Sequence, residues 1–176
     1  MFKLRFIVPI HALYAPAKRH LTMTQEDDNF VRLLFRFYSS ALEDWTVETL
    51  WAQILNKEKG LYKIFNIPFY APVATDDIVF AEYDDTEKML TYKETVEYSG
   101  NSLIQVVILD KSKVTNNIRK IFNSMDCKSE KFKEGYFVVE ILADKDYEPI
   151  KQKLTELQDK GIIDYAETVL SDKHQY

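Results

Sequence analysis

The chain holds one cysteine, four glycines, five prolines and three histidines in 176 residues, and each shortage closes off a class of function. With Cys127 alone there is no intramolecular disulfide and no thiolate metal site, which fits a cytoplasmic protein. Its expected role is that of a small buried hydrophobe at the end of a helix. Four scattered glycines cannot build a phosphate-cradling loop, so nucleotide-dependent chemistry is not expected. His11, His20 and His174 all fall in segments that read as arm or tail, which leaves Cys127 and the serines without a rigidly held base. Long apolar runs are missing as well, so no membrane span is expected. Lys3 and Arg5 before Phe6–Ile10 hint at a signal peptide, but Pro9 and His11 break a run that is already too short. Nor is there a helical histidine pair, a cysteine pair or a spaced carboxylate loop, so neither a metal nor another cofactor is expected.

Aromatic residues are abundant. Eleven Phe, eleven Tyr and two Trp, within a chain 46 % hydrophobic, are enough to bury a core without covalent staples. The formal net charge of -5 weighs against nucleic acid and suits a basic protein partner.

The runs Val47–Ala52 and Tyr62–Ala71 are crowded with β-branched and aromatic residues, and Lys57-Glu58-Lys59-Gly60 supplies the reversal between them. Alternation at two-residue period marks further strands over Met1–Ile10, Phe30–Tyr38, Ile78–Tyr83 and Met89–Tyr98. Residues 11 to 29 have no sustained period and read as a mobile connection, and Ser39–Asp44 reads as a turn. Pro68 and Pro72 put the second of the paired runs at an edge or end it in an irregular loop. Five or six short strands with tight turns predict a small β-barrel or rolled antiparallel sheet. The rhythm changes after Ser99-Gly100-Asn101-Ser102. An apolar strand over Leu103–Leu109 precedes Val114, Ile118, Ile121, Phe122 and Met125 at helical spacing. Two strands near 128–133 and 135–142, a helix carrying Pro149 in its first turn and stopping at Gly161, and a closing strand over Ile162–Leu170 follow. That order is βαββαβ, the ferredoxin-like plan. The expected organisation is α+β: residues 1–29 as strand and connection, 30–100 as a small all-β domain, and 101–176 as a ferredoxin-like domain.

Val47-Glu48-Thr49-Leu50-Trp51-Ala52, Asn66-Ile67-Pro68-Phe69-Tyr70-Ala71, Asp77–Glu82, Ser99–Ser102 and Asp164-Tyr165-Ala166-Glu167 occur together and in order. This set resembles the bacterial family called domain of unknown function 4265, over about residues 30 to 170. The resemblance implies the two-part architecture and carries no reaction, cofactor or catalytic residue.

Several smaller patterns bear on chemistry. Glu48 and Glu82 lie on strands, where a carboxylate could be a buried base, but alternation also lets both face water, and no second acid or histidine is spaced to work with them. Asp164 and Glu167 are three apart on a strand and point to opposite faces. Lys133-Glu134-Gly135-Tyr136-Phe137-Val138 falls where RNA-recognition domains carry stacking aromatics, yet Glu134 intrudes and the first strand has no aromatic. The doublets Asp76-Asp77 and Asp84-Asp85 read first as turn residues. Surface recognition remains: Trp51 reads as core, whereas Phe69 and Tyr70 beside Pro68, with Trp45, Tyr83, Asp84 and Asp85, are the expected partner-binding set. By elimination the chain reads as a non-catalytic protein-binding module, monomer or homodimer. Its most concrete form is an immunity protein that blocks a cognate bacterial toxin, a basic toxin domain suiting the acidic net charge; the alternative is a small-molecule-sensing regulatory domain acting as a dimer.

Overall fold

A computed structural model describes residues 29–39 and 44–176. The strand expected over Met1–Ile10, the connection before residue 29, His11, His20 and the turn at 40–43 lie outside the described residues. The chain divides into two compact units that interleave in sequence: Ile67–Asp76 belongs with Tyr98–Tyr176, and Asp77–Glu97 belongs with the residues up to Asn66.

The first unit has five strands: β1 (Phe30–Ser39), β2 (Asp44–Asn56), β3 (Leu61–Ile64), β4 (Ile78–Asp84) and β5 (Met89–Glu97). Each pairs antiparallel with the next, and the ring closes through a short parallel seam in which Leu33 faces Leu90 and Leu34 faces Thr91. This is a rolled sheet with one thin join. Register shifts at Ile54/Asn56, Ile78/Val79 and Phe80/Ala81 bend it. Alternation sends Leu33, Phe35, Leu50, Ala52, Ile64, Val79 and Ala81 into its interior, each at most 2 % exposed. Phe35 stacks on Tyr92 with ring centres 4.7 Å apart. Gly60 is required where β3 begins: its φ is +64°, and a Cβ there would lie 2.7 Å from the Ala81 carbonyl oxygen.

Two sequence readings are corrected in this unit. Trp51 shares neither face nor depth with Leu50 and Ala52; it is half-buried on the outer side, with the Arg32 guanidinium 5.8 Å from its ring centre. Glu48 has the parity of Leu50 and is buried, whereas Glu82 is exposed as alternation allowed.

The second unit contains β6 (Ser102–Ile108), α1 (Thr115–Asn123), β7 (Lys128–Lys133), β8 (Tyr136–Ile141), α2 (Glu148–Asp159) and β9 (Ile163–Val169), then a 3-10 turn at Asp172–His174. The strands form one antiparallel sheet in the order β7-β8-β6-β9. Ile104, Val106, Phe137, Val139, Ile141 and Ile163 turn one face toward Ile118 and Phe122 of α1 and Ile150, Leu154 and Leu157 of α2. Cys127 joins this core, and burial pushes its thiol up to about 11, so it is an inert packing residue at neutral pH.

The other sheet face is met by Ile67–Asp76. The Phe69 carbonyl accepts from Gln105 Nε2 at 2.7 Å and from the Tyr136 hydroxyl at 2.9 Å. Farther along, Asn101 Nδ2 donates to the Thr75 carbonyl at 2.9 Å, while its Oδ1 accepts from the Ala143 N–H. The Pro-flanked stretch is thus irregular, as Pro68 and Pro72 imply, but it is tied along the face of a sheet made of residues far from it in sequence.

Candidate interaction surface

The described ends of β1 and β2 form a short ladder: Phe37 faces Thr46, Tyr38 faces Trp45, and Ser39 faces Asp44. Among the described residues nothing covers the Tyr38 and Trp45 rings. Trp45 is 60 % and Tyr38 56 % exposed, with their rings edge to face at 6.1 Å. Arg36 fixes the arrangement: its guanidinium carbon lies 5.7 Å from the Trp45 ring centre, and its Nη1 donates to Glu87 Oε1 at 3.2 Å. A planar guanidinium held between a ring and a carboxylate loses little further freedom on binding.

Glu87 stands in the β4–β5 turn, which Asp84 builds. One Asp84 oxygen accepts the N–H groups of Thr86 at 2.8 Å and Glu87 at 3.1 Å, and these two bonds, with the charges of Lys93 and Arg36, hold its carboxyl below the usual aspartate range. Lys88 completes the turn at φ +55°. Asp84 is therefore occupied with local structure, while the neighbouring Asp85 is free to face solvent. Tyr83, opposite Leu90, is 59 % exposed.

Of the six residues expected at a binding face, Trp45 and Asp84 come together through Arg36, and Tyr83 and Asp85 flank the same turn. Phe69 and Tyr70 do something else. Phe69 is 5 % exposed and packs edge-on against Phe132 at 5.0 Å, and Tyr70 stacks on Tyr136 at 5.7 Å. Their rings bind the second unit's own sheet. Tyr136 itself is buried beneath them, so the ring placed where an RNA-recognition signature would need an open stacking surface is covered. Glu134 also acquires a purpose: it accepts from both the N–H and the hydroxyl of Thr115, at 2.9 and 2.6 Å, and so caps α1.

A second polar cluster joins residues that no spacing or motif groups. Glu167 of β9 accepts from the Tyr147 hydroxyl, from Lys151 Nζ at 2.8 Å and from the Tyr176 hydroxyl at 3.0 Å. Burial acts to raise the Glu167 carboxyl, but these donors outweigh it and hold it below the usual range. The same burial and the adjoining carboxylate push the Tyr147 hydroxyl far up, so it stays protonated. Next to Tyr147, His174 is buried, with Nδ1 2.7 Å from Ser102 Oγ. This serine and histidine meet in the interior, Ser102 at 0 % and His174 at 2 % exposure, which makes them a structural pair without access for a substrate. Only the placement of Ser102 next to the Ser99–Asn101 boundary could have drawn attention to it. Among the described residues no cluster of three or more His, Cys, Asp or Glu could hold a metal ion, and no helix is long and apolar enough to cross a membrane.

Comparison with known proteins agrees with this organisation. The chain is similar over 80 % of its length, and 94 % of the other chain, to a hypothetical protein from Neisseria gonorrhoeae of known crystal structure, at 28 % identity and a TM-score of 0.69. No curated protein matches it. The family model described as domain of unknown function (DUF4265) matches residues 48–165, and the chain belongs to that family.

Proposed function

We propose that this chain is a non-catalytic protein-binding module, most concretely a cytoplasmic immunity protein that covers and blocks a cognate bacterial toxin, and that it docks through the Tyr38–Trp45 end of its rolled sheet. The observation that carries this reading is the exposed Tyr38–Trp45 pair with Arg36 ordered against it. Trp, Tyr and Arg are the side chains that most often dominate interface energetics, and here two of them are already held in place. The net charge of -5 favours a basic partner, since charge complementarity speeds encounter and excludes wrong partners. A ferredoxin-like reading of the second unit accompanies this one, supported by both helices covering one face of a sheet ordered β9-β6-β8-β7.

The test is affinity capture with the tagged full chain from a native lysate, followed by calorimetry and an activity assay on the captured protein. One partner, bound one to one and losing its toxic activity in the complex, is expected. Trp45→Ala should weaken that complex by about 2 kcal/mol, on the order of 30-fold in Kd. A partner that stays fully active when bound refutes the immunity reading, and an unchanged Kd for Trp45→Ala moves the docking face elsewhere.

A further inference from the structure

We propose that His174 is a proton-operated latch: its neutral ring holds Ser171–Tyr176 against the second unit, and protonation releases that segment together with the Tyr176 contacts to Lys151 and Glu167.

The attachment is built around Ser102, at the start of the central strand β6. Its Oγ accepts the Ser171 N–H at 2.9 Å and lies 2.7 Å from His174 Nδ1, so one hydroxyl anchors the segment twice. The segment folds locally to present the ring: Ser171 Oγ accepts from the Lys173 N–H at 3.2 Å, and the His174 N–H donates to the Ser171 carbonyl at 2.9 Å. The imidazole sits against the Tyr147 ring, centres 5.7 Å apart. Two residues on, the Tyr176 ring lies 4.2 Å from Lys151 Nζ, its hydroxyl accepts from that amine at 2.6 Å, and the same hydroxyl donates to Glu167.

A neutral imidazole has one donor and one acceptor nitrogen, and Ser102 serves Nδ1 in either role. A charged imidazole must satisfy two donors. Among the described residues Nε2 has no partner at hydrogen-bond distance, and the Lys145 and Leu142 main chain near the ring pulls less than burial costs, so the charged ring would bury a poorly satisfied cationic N–H. The charged groups around the ring add to the difficulty. Lys173 is its chain neighbour, and Lys151 stands on α2 beyond Tyr147; the one carboxylate facing this side from β9, Glu167, is already committed to Lys151, Tyr147 and Tyr176, while Asp172 accepts from Gln175. Burial chiefly, and then Lys173, hold the ring below the ordinary histidine range, against a weaker opposite pull from the Lys145 and Leu142 main chain. The sign follows: the latch is at full strength above about pH 6.5, the unfolded value, and is lost as the pH falls through the lower folded value.

The test is amide and imidazole NMR on the full chain from pH 7.5 down through the His174 ring titration, with the Glu167 carboxyl followed in the same samples. In the wild type, order parameters for residues 171–176 should fall from about 0.85 to below about 0.6 as the His174 ring titrates. His174→Asn keeps an acceptor for Ser102 but cannot take the charge, so its segment should stay ordered throughout. Ser102→Ala removes the anchor and should move the release to higher pH, which keeps the test decisive if His174→Asn fails to order at pH 7.5. A wild-type segment that stays ordered through the ring titration, a His174→Asn segment that releases at the same pH, or an unshifted Ser102→Ala midpoint overturns the latch.

Discussion

Glu140 puts a carboxylate into a strand, β8, whose six side chains are all buried. Its side chain is wholly inaccessible, and among the described residues both oxygens lack a hydrogen bond and the charge that faces them is Lys128 Nζ at 3.4 Å on the neighbouring strand. A buried ion pair of this kind costs desolvation that the Coulomb attraction offsets only in part. Replacing the acid by a hydrocarbon and removing its base therefore act in opposite directions. Glu140→Leu should leave stability unchanged or raise it. Lys128→Ala should lower stability by about 2 kcal/mol, less than the roughly 3–5 of a fully buried pair, because Lys128 keeps half of its side chain in water. Urea denaturation midpoints of the two variants decide this; equal losses in both would mean that the acid forms favourable bonds of its own. Single residues were also where the sequence misled. Alternation on its own allows Glu48 to face water, but Glu48 has the parity of Leu50 and Ala52, so the same two-residue period directs it inward. Trp51 shows the reverse error: its place inside an alternating apolar strand suggested core, while its parity, opposite to Leu50, puts it on the outside.

Elements whose stabilising contacts are close in sequence were legible. The apolar stretch of β6, the Ile118–Phe122 spacing of α1 and the Pro149 start of α2 follow from periodicity and first-turn geometry alone. Segments held by distant partners were not. Ile67–Asp76 is fixed by Gln105 and Tyr136, 36 and 67 positions away from Phe69, and His174 by Ser102, 72 positions away. Nothing within a window of ordinary length records such pairings, so Phe69 and Tyr70 looked like loop aromatics and His174 like a solvated residue among Asp172, Lys173 and Gln175. The start of α1 is an intermediate case. Val114 offers no capping side chain, and the cap comes from Glu134 in the β7–β8 turn, with the Gly135 N–H returning a bond to Thr115 Oγ1 at 2.8 Å. Those Thr115 bonds, then Lys131, hold the Glu134 carboxyl down to about 2. Because the folded value is depressed, the contribution is complete above the ordinary glutamate range and disappears only as pH falls toward 2. Glu134→Gln should lower Tm at pH 7 and flatten the dependence of Tm on pH between about 5 and 2. An unchanged slope in calorimetric scans would remove Glu134 from the cap. The outer strands of the second sheet are guarded too: Arg119 donates to the Ser129 carbonyl at 2.6 Å on lysine-rich β7, and Asp164 occupies the Tyr165 N–H on β9. Such attachments disfavour strand addition by a second copy at these edges.

For the molecule as a whole, the decisive feature is that the chain passes between its two units three times, after Asn66, Asp76 and Glu97. The second unit is therefore not a contiguous stretch. A fragment of residues 98–176 keeps every strand and helix of its sheet but lacks the ten residues that bond Gln105, Asn101 and Tyr136 and cover Tyr136 and Phe132 with aromatic rings. That fragment should bind 8-anilinonaphthalene-1-sulfonate strongly and associate, whereas the full chain should do neither; a monodisperse fragment without dye binding would show the covering segment to be dispensable. The same threading also sets a timetable during synthesis on the ribosome. Phe69 leaves the tunnel 67 residues ahead of Tyr136, and at about 5–20 residues per second that is a wait of roughly 3–13 s. Throughout that interval a Pro-rich aromatic stretch has no sheet to lie on, while Asp77–Glu97, translated after it, must return to close the first unit around the gap. The nascent chain is thus obliged to finish its first half with a loop of its second half still hanging from it.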